Sequence, residues 1–321
     1  MQKWTKPDQP PIRIALILFD RFSNLCMANC IEPLRAANTQ TLRESFIWTI
    51  YTPDSAPAQS SSGIDVMAHA TLAQLKQVDY LFVLASYDHD RHDTSDTRRI
   101  LRAAASKAET VVGLDAGPWL LASAGFLDNR RATVHWDLLD TFSERFLDIR
   151  AEREHVLQDG PFVTCAGAMS ALEMTLGLID HHLGTAARLD VEALFMHDTP
   201  SFEPNTEHRP VSDPIIRRAL QMMRENIEKP LNLTELSKRL SCQPRTLDRR
   251  FRSRLGAPPG TVYRHMRLSS ARKLLESSTL SISEIALRCG YDSPAAMARA
   301  IRQNYGISPS ILRKQATHSA R

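Results

Sequence analysis

One helix-turn-helix pattern is written twice near the C-terminal end of this 321-residue sequence, and two copies at near-constant spacing leave few architectures open. Leu233-Thr-Glu-Leu-Ser, Leu247-Asp-Arg-Arg-Phe251, Gly256 and Pro259 return as Ile282-Ser-Glu-Ile-Ala, Met297-Ala-Arg-Ala-Ile301, Gly306 and Pro309. The offset is 49 residues before the turn and 50 after it, so the second turn is one residue longer. Asn232-x-x-Glu235 and Ser281-x-x-Glu284 match the capping-box pattern, so both copies begin with the same local chemistry. Two such units hold two short helices at a fixed separation. Reading adjacent major-groove segments of double-stranded DNA requires that arrangement.

Charge agrees with the repeat. From Pro214 onward there are 21 Lys and Arg against 7 Asp and Glu, a net of +14, whereas residues 1–213 carry a net of −10. A basic, Arg-rich third joined to an acidic body points to a polyanion-binding module attached to one with another task. No apolar run approaches the roughly 20 residues of a membrane span, and the first residues lack a signal-peptide core. The five cysteines (Cys26, Cys30, Cys165, Cys242 and Cys289) are odd in number and show no C-x-x-C spacing. The expectation is a reduced, cytoplasmic protein with no structural metal and no cofactor.

Ahead of the repeat, apolar runs at Ile12–Phe19, Tyr80–Ala85 and Thr110–Asp115 have the continuous hydrophobicity of buried parallel strands. Phe46–Tyr51 and Phe162–Cys165 are further strand candidates. Helical stretches at Met27–Asn38, Ser95–Lys107, Trp119–Ala124, His135–Phe146 and Ala168–Leu183 alternate with them. The alternation predicts an α/β doubly wound, flavodoxin-like domain, followed by an all-α domain with two helix-turn-helix motifs. The Pro-rich, aperiodic stretch 199–213 is read as a linker between domains spanning residues 1–198 and 214–321.

Across residues 213–314 the sequence resembles the AraC/XylS family of transcription regulators. The carrying residues are L-x-x-L-x-x-x-L-S followed by L-x-R-x-F (Leu233 to Phe251), the run Arg267 to Tyr291, and Tyr305-Gly-Ile-Ser-Pro309. The resemblance implies a single module with two recognition helices. On the first, about Arg245–Arg254, Leu247 and Phe251 must face inward. Arg245, Asp248 and Arg249 are therefore left to face base edges, where an arginine fork suits guanine. Asp248 either accepts from cytosine or orients a neighbouring arginine. On the second, Pro294–Gln303, Pro294, Ala295 and Ala296 replace polar residues common in the family and leave Arg299 as the main reader. Arg250, Arg252, Arg302 and Lys314 are assigned to phosphate.

Residues 12–195 resemble the ThiJ/PfpI-like, class I glutamine amidotransferase-like fold, in particular its fusions to AraC-type domains, the GlxA-like regulators. Phe19–Leu25, Glu32–Asn38, Ala122–Trp136 and Thr164–Ala168 carry the match. Enzymes of this fold place a nucleophilic cysteine on a tight strand-to-helix elbow. Here the elbow is Gly113-Leu-Asp-Ala-Gly117, with Asp115 where the cysteine would stand, and a carboxylate cannot serve as a thiolate. The family's acidic residue and histidine are matched by Glu32 and His135, so the expectation is a binding pocket rather than an active site. Glu32 and Asp115 with Ser86, Tyr87, Trp119, His135 and Trp136 form the candidate ligand set. Two carboxylates among aromatic faces suit an organic cation. Trp119 and Trp136 also fit a packing role, and Asp115 a helix N-terminus. The run Asp88-His-Asp-Arg-His-Asp93 is read as a polar loop.

Together these features predict a regulator, more an activator than a repressor, with double-stranded DNA, a small-molecule effector, RNA polymerase and a second copy of itself as partners. The resemblance implies effectors of the arginine, carnitine or betaine type. The rival readings are an amidase-like hydrolase with a DNA-binding tail, which would need Cys165 or a water activated by Glu32, and a ligand-free dimerisation scaffold.

Overall fold

The computed structural model describes residues 4–6, 9–195 and 213–319, so most of the expected 199–213 linker lies outside the described residues. The described chain forms two compact units: the sheet region up to Leu178, and Ile179 onward together with the short N-terminal segment.

In the first unit the strands are β1 (Ile12–Leu18), β2 (Phe46–Tyr51), β3 (Ala58–Gln59), β4 (Asp65–Val66), β5 (Val78–Ala85), β6 (Ala108–Asp115), β7 (Arg131–Ala132), β8 (Arg150–Ala151), β9 (Val156–Asp159) and β10 (Phe162–Cys165). Six of them make one sheet in the order β2-β1-β5-β6-β10-β9, parallel throughout except for β9 at its edge. Residues of both parities on β1 are buried: Ala15 and Ile17 pack with Leu101 and Leu121 on one side, and Leu16 and Leu18 are equally enclosed. A sheet covered on both faces needs apolar side chains at every position, which is why these strands read as unbroken runs.

The helices of this unit are α1 (Asn24–Thr41), α2 (Ser95–Ala105), α3 (Gly117–Ser123), α4 (Leu139–Arg145) and the greater part of α5 (Ala168–Leu183). The expected helix over His135–Phe146 is split. His135 caps a short 3-10 turn at Trp136–Leu138, and α4 follows. The polar run after β5 also forms a 3-10 turn, His89–His92. Its acids are engaged: Asp88 lies near Arg21 and Arg91, and Asp93 holds Arg98, Ser123 and Arg145.

The second unit contains α6 (Thr185–Phe195), α7 (Pro214–Glu225), α8 (Leu233–Arg239), α9 (Pro244–Leu255), α10 (Pro259–Ser277), α11 (Ile282–Arg288), α12 (Pro294–Tyr305) and α13 (Pro309–Ser319). It has two cores. Leu236, Leu247, Phe251 and Val262 pack with Ile216 and Leu189 of α7 and α6 in the first. Leu268, Leu275, Ile285, Met297, Ile301 and Leu312 fill the second. Helix α10 contributes to both and so links one helix-turn-helix to the next. Helix α6 was expected to belong with the sheet region. Here it packs with α10: Asp190 accepts hydrogen bonds from His265 Nε2 at 2.9 Å and Ser269 Oγ at 2.7 Å. Trp4 packs edge-on against the His265 ring.

Candidate effector site and DNA-reading surface

The elbow after β6 is built by backbone restriction. A Cβ on Gly117 would meet the carbonyl oxygen of Val83 at 2.1 Å, and one on Gly113 would meet the Pro118 nitrogen at 2.9 Å. Strand and helix therefore approach as closely as glycine permits. Between them Asp115 adopts φ 62°, a left-handed conformation that costs a non-glycine residue energy and marks functional sites when the surroundings enforce it. Here the enforcement is visible: Ala116 N–H donates to the Ala85 carbonyl at 2.8 Å, and His135 N–H to the Asp115 carbonyl at 3.0 Å.

The Asp115 side chain is 9% exposed, and Ser86 Oγ donates to its Oδ2 at 2.9 Å. Ser86 Oγ in turn accepts from the Ser23 backbone N–H at 2.9 Å. Burial raises the Asp115 pKa. The Ser86 hydrogen bond, the His135 ring and the Ala116 amide oppose that rise without cancelling it. His135 stacks on Trp136 with ring centroids 4.1 Å apart, and both press on Gly167, where a Cβ would meet each ring at 3.4 Å. Tyr87 and Trp136 are both more than half exposed. Asp115, Ser86, His135 and Trp136 are thus brought together at the carboxyl ends of the parallel strands, where open α/β sheets bind ligands.

Two of the expected ligand residues lie elsewhere. On α1, Cys26 and Cys30 are buried and Glu32 stands about 200° round the helix from Cys30. Its carboxylate pairs with Arg35 at 2.7 Å on the exposed side. The site therefore has one buried carboxylate, not two. Trp119 faces His89, Phe142 and Phe146, with centroids 4.8, 6.1 and 5.3 Å away, and the Arg145 guanidinium lies 5.9 Å above its ring. It packs the region around α4 and does not wall the elbow.

The sequence reading missed Ser23, Cys26 and Cys30. Cys26 is hydrogen-bonded to Cys30 and feels both Cys165 and Asp115, and that bond together with burial pushes its thiol pKa well up. The stripe Cys26, Cys30, Pro33, Leu34 and Ala37, with its i, i+4, i+7 spacing, was the available signal, and Glu32 falls off it. Burial also pushes the Cys165 thiol up, away from the thiolate a nucleophile needs.

In the helical unit both capping boxes form. Asn232 Oδ1 accepts from Glu235 N–H and Glu235 Oε2 from Asn232 N–H, each at 2.9 Å. Ser281 and Glu284 do the same at 3.1 and 2.8 Å. The four residues between α8 and α9 become five between α11 and α12, which accounts for the change in repeat offset. Leu247 and Phe251 are buried, as are Met297 and Ile301. Arg245, Arg249, Arg299 and Arg302 are exposed.

One assignment changes and one alternative is favoured. Arg250 Nη1 donates to Asp213 Oδ2 at 2.7 Å, and Asp213 also caps α7 through the Ile215 N–H. Burial favours the protonated acid there, but Arg250 and the helix amides outweigh it and hold the Asp213 pKa below the usual range. Arg250 therefore fastens α7 to α9 and is not a free phosphate ligand. Asp248 accepts from Arg252 Nε at 2.7 Å, so of its two expected roles it orients an arginine. Lys314 is exposed midway along α13. Other basic residues are structural too. Arg267 donates to the carbonyls of Cys289 and Gly290 beneath the second turn, and Arg272, almost fully buried, binds Glu276.

Comparison with known proteins agrees with both halves. Residues 12–181 match the DJ-1/PfpI family and residues 236–315 a helix-turn-helix domain. The HTH-type transcriptional regulator CdhR of Pseudomonas aeruginosa is 32% identical, with 92% of this chain and 89% of the relative aligned. The chain belongs to the GlxA-like transcription regulators. The HTH-type transcriptional regulator GlxA of Rhizobium meliloti is 31% identical over 94% of this chain and 96% of its own length. An AraC family transcriptional regulator from Pseudomonas putida, known from its crystal structure, superposes with a TM-score of 0.51 at 26% identity, covering 58% of this chain and all of that one. The chain is accordingly a DNA-binding regulator with a DJ-1/PfpI-type α/β domain. No helix among the described residues is long and apolar enough to cross a membrane.

Proposed function

We propose that this regulator binds a small nitrogenous, cationic metabolite at Asp115 and passes its presence to the two helix-turn-helix motifs. One observation carries this reading: a carboxylate only 9% exposed, in a strained elbow, with one side-chain donor and no Lys or Arg ion pair among the described residues. An acid held in that state is costly unless something positive completes it. The same elbow lacks a thiol, and the buried Cys165 is no nucleophile, so the site binds without turnover. Two copies of the chain present two basic domains to two half-sites, and the activated arrangement recruits RNA polymerase. The effector acts by preferring one arrangement, since equal affinity for both would shift nothing.

Thermal unfolding of the full-length protein against a panel of amines, guanidines, amino acids and matched carboxylates tests this. A ligand at about 100 times its Kd adds roughly 2.7 kcal/mol. A cation that stabilises the wild type but not Asp115→Asn, and that changes DNA affinity or target transcription, is the expected result. Stabilisation by anions alone, or turnover of an amide, refutes the proposal.

A further inference from the structure

The cationic-effector reading leaves open which kind of cation the site accepts, and the hydrogen-bond directions around Asp115 narrow it. Ser86 has one hydroxyl proton. Its oxygen already accepts the Ser23 N–H at 2.9 Å, so the proton is committed to Asp115 Oδ2 at 2.9 Å. Ser86 is itself 7% exposed. Among the described residues the Ser86 hydroxyl is the one side-chain donor to the Asp115 carboxylate, and the Ala116 backbone amide adds a second hydrogen bond. An ionised carboxylate has about four lone-pair positions. About half of those positions on this nearly buried group are left without a donor.

The neighbouring groups do not make up the deficit. His135 Nδ1 accepts the Asp137 N–H at 3.3 Å. Its ring stacks on Trp136 and acts on Asp115 through charge, with no side-chain hydrogen bond between the two among the described residues. The described aromatic residues near Asp115 do not form a cage for a methylated cation either. Trp119 is turned into the α4 packing, Trp136 lies against His135, and Tyr87 projects outward.

Resting on the cationic-effector reading, we infer that the effector meets Asp115 through N–H donors, as a primary or secondary ammonium, an amidinium or a guanidinium, and that a quaternary ammonium does not satisfy the site. A quaternary ammonium brings charge but no donor, and its methyl groups hold the positive centre away from the oxygen. A site built to pair buried polar groups discriminates by orders of magnitude against an analogue that leaves them unpaired. A guanidinium matches best, because its parallel N–H groups fit a carboxylate edge.

The test uses n-butylammonium, n-butylguanidinium and n-butyltrimethylammonium, which share one alkyl chain and one charge, on the full-length protein. Thermal shift and titration calorimetry are run on the wild type, Asp115→Asn and Ser86→Ala, with circular dichroism as the folding control. The ammonium or guanidinium probe is expected to bind at least about a hundredfold more tightly than the trimethylammonium probe. That difference should vanish in Asp115→Asn and shrink in Ser86→Ala, where the carboxylate loses its fixed donor. Equal binding of the trimethylammonium probe, abolished by Asp115→Asn, overturns the donor requirement and leaves the cation-sensing site standing. Binding of any probe that is indifferent to both substitutions, or failure of all three, overturns the inference together with the site on which it rests.

Discussion

The two helix-turn-helix copies share a scaffold and differ in what they offer to DNA. Both start with a capping box, both second helices begin at proline, and both end at a left-handed glycine, Gly256 at φ 71° and Gly306 at φ 75°. Phe251 and Ile301 occupy the same inward position, and Arg249 and Arg299 the same outward one. The divergence lies on the exposed face of the recognition helix. Arg245, Thr246 and Asp248 in the first copy become Ala295, Ala296 and Ala298 in the second. Folding constraints are thus met in much the same way in both copies, while the residues proposed to read bases are concentrated in the first. Alanines in a major groove contact thymine methyl groups and little else, so on that proposal the second copy adds anchorage more than information.

Core truncation should have the largest effect and treat the copies alike. Phe251→Ala should cost about 3–5 kcal/mol and Ile301→Ala about 2–5 kcal/mol in denaturant unfolding. A negligible loss at Ile301 would break the symmetry of the scaffold. Next come the readers. Arg249→Ala should cost roughly 1–3 kcal/mol of DNA affinity and relax base preference at one position. Arg245→Ala should behave similarly, whereas the second copy should respond strongly at Arg299 alone, measured by binding to a randomised site library. A uniform loss across sequences for Arg249→Ala would make it a phosphate ligand and erase the contrast.

The caps should be equal and smaller, with Asn232→Ala and Ser281→Ala each losing about 1 kcal/mol, read as matched shifts in thermal unfolding. The last prediction concerns pH. Burial alone would lower the His265 pKa, but the charge and hydrogen bond of Asp190 outweigh it, and its folded value is raised above 6.5. The clamp's contribution is therefore complete below the unfolded value and is lost as pH rises through the higher folded one. Unfolding across that window should show stability falling with pH in the wild type and a flatter profile in Asp190→Asn.

Much of this was legible in the residues because it depends on short spacings. The repeat, the capping boxes and the inward phase of Leu247 and Phe251 follow from i, i+3 and i, i+4 relations that a helix enforces locally. The elbow could be placed because Gly113-Leu-Asp-Ala-Gly117 matches the point where the fold that the chain resembles turns from strand to helix. The phase of α1 was legible too: the buried stripe from Cys26 to Ala37 turns Glu32 outward, and matching a family's acidic residue by type alone missed it.

The sequence by itself determined two domain types and a doubled helix-turn-helix, because each rests on local pattern, and through family resemblance it put an aspartate where a nucleophile would stand. Tertiary structure alone decided the pairs separated by long stretches of chain. Ser86 reaches Asp115 across two strands, Arg250 reaches Asp213 at the start of another helix, and Asp190 meets His265 between α6 and α10. No spacing rule encodes such pairs. Each depends on which surfaces pack, and burial then decides whether a charge is a free ligand, a fastener or an incomplete site waiting for its counter-ion.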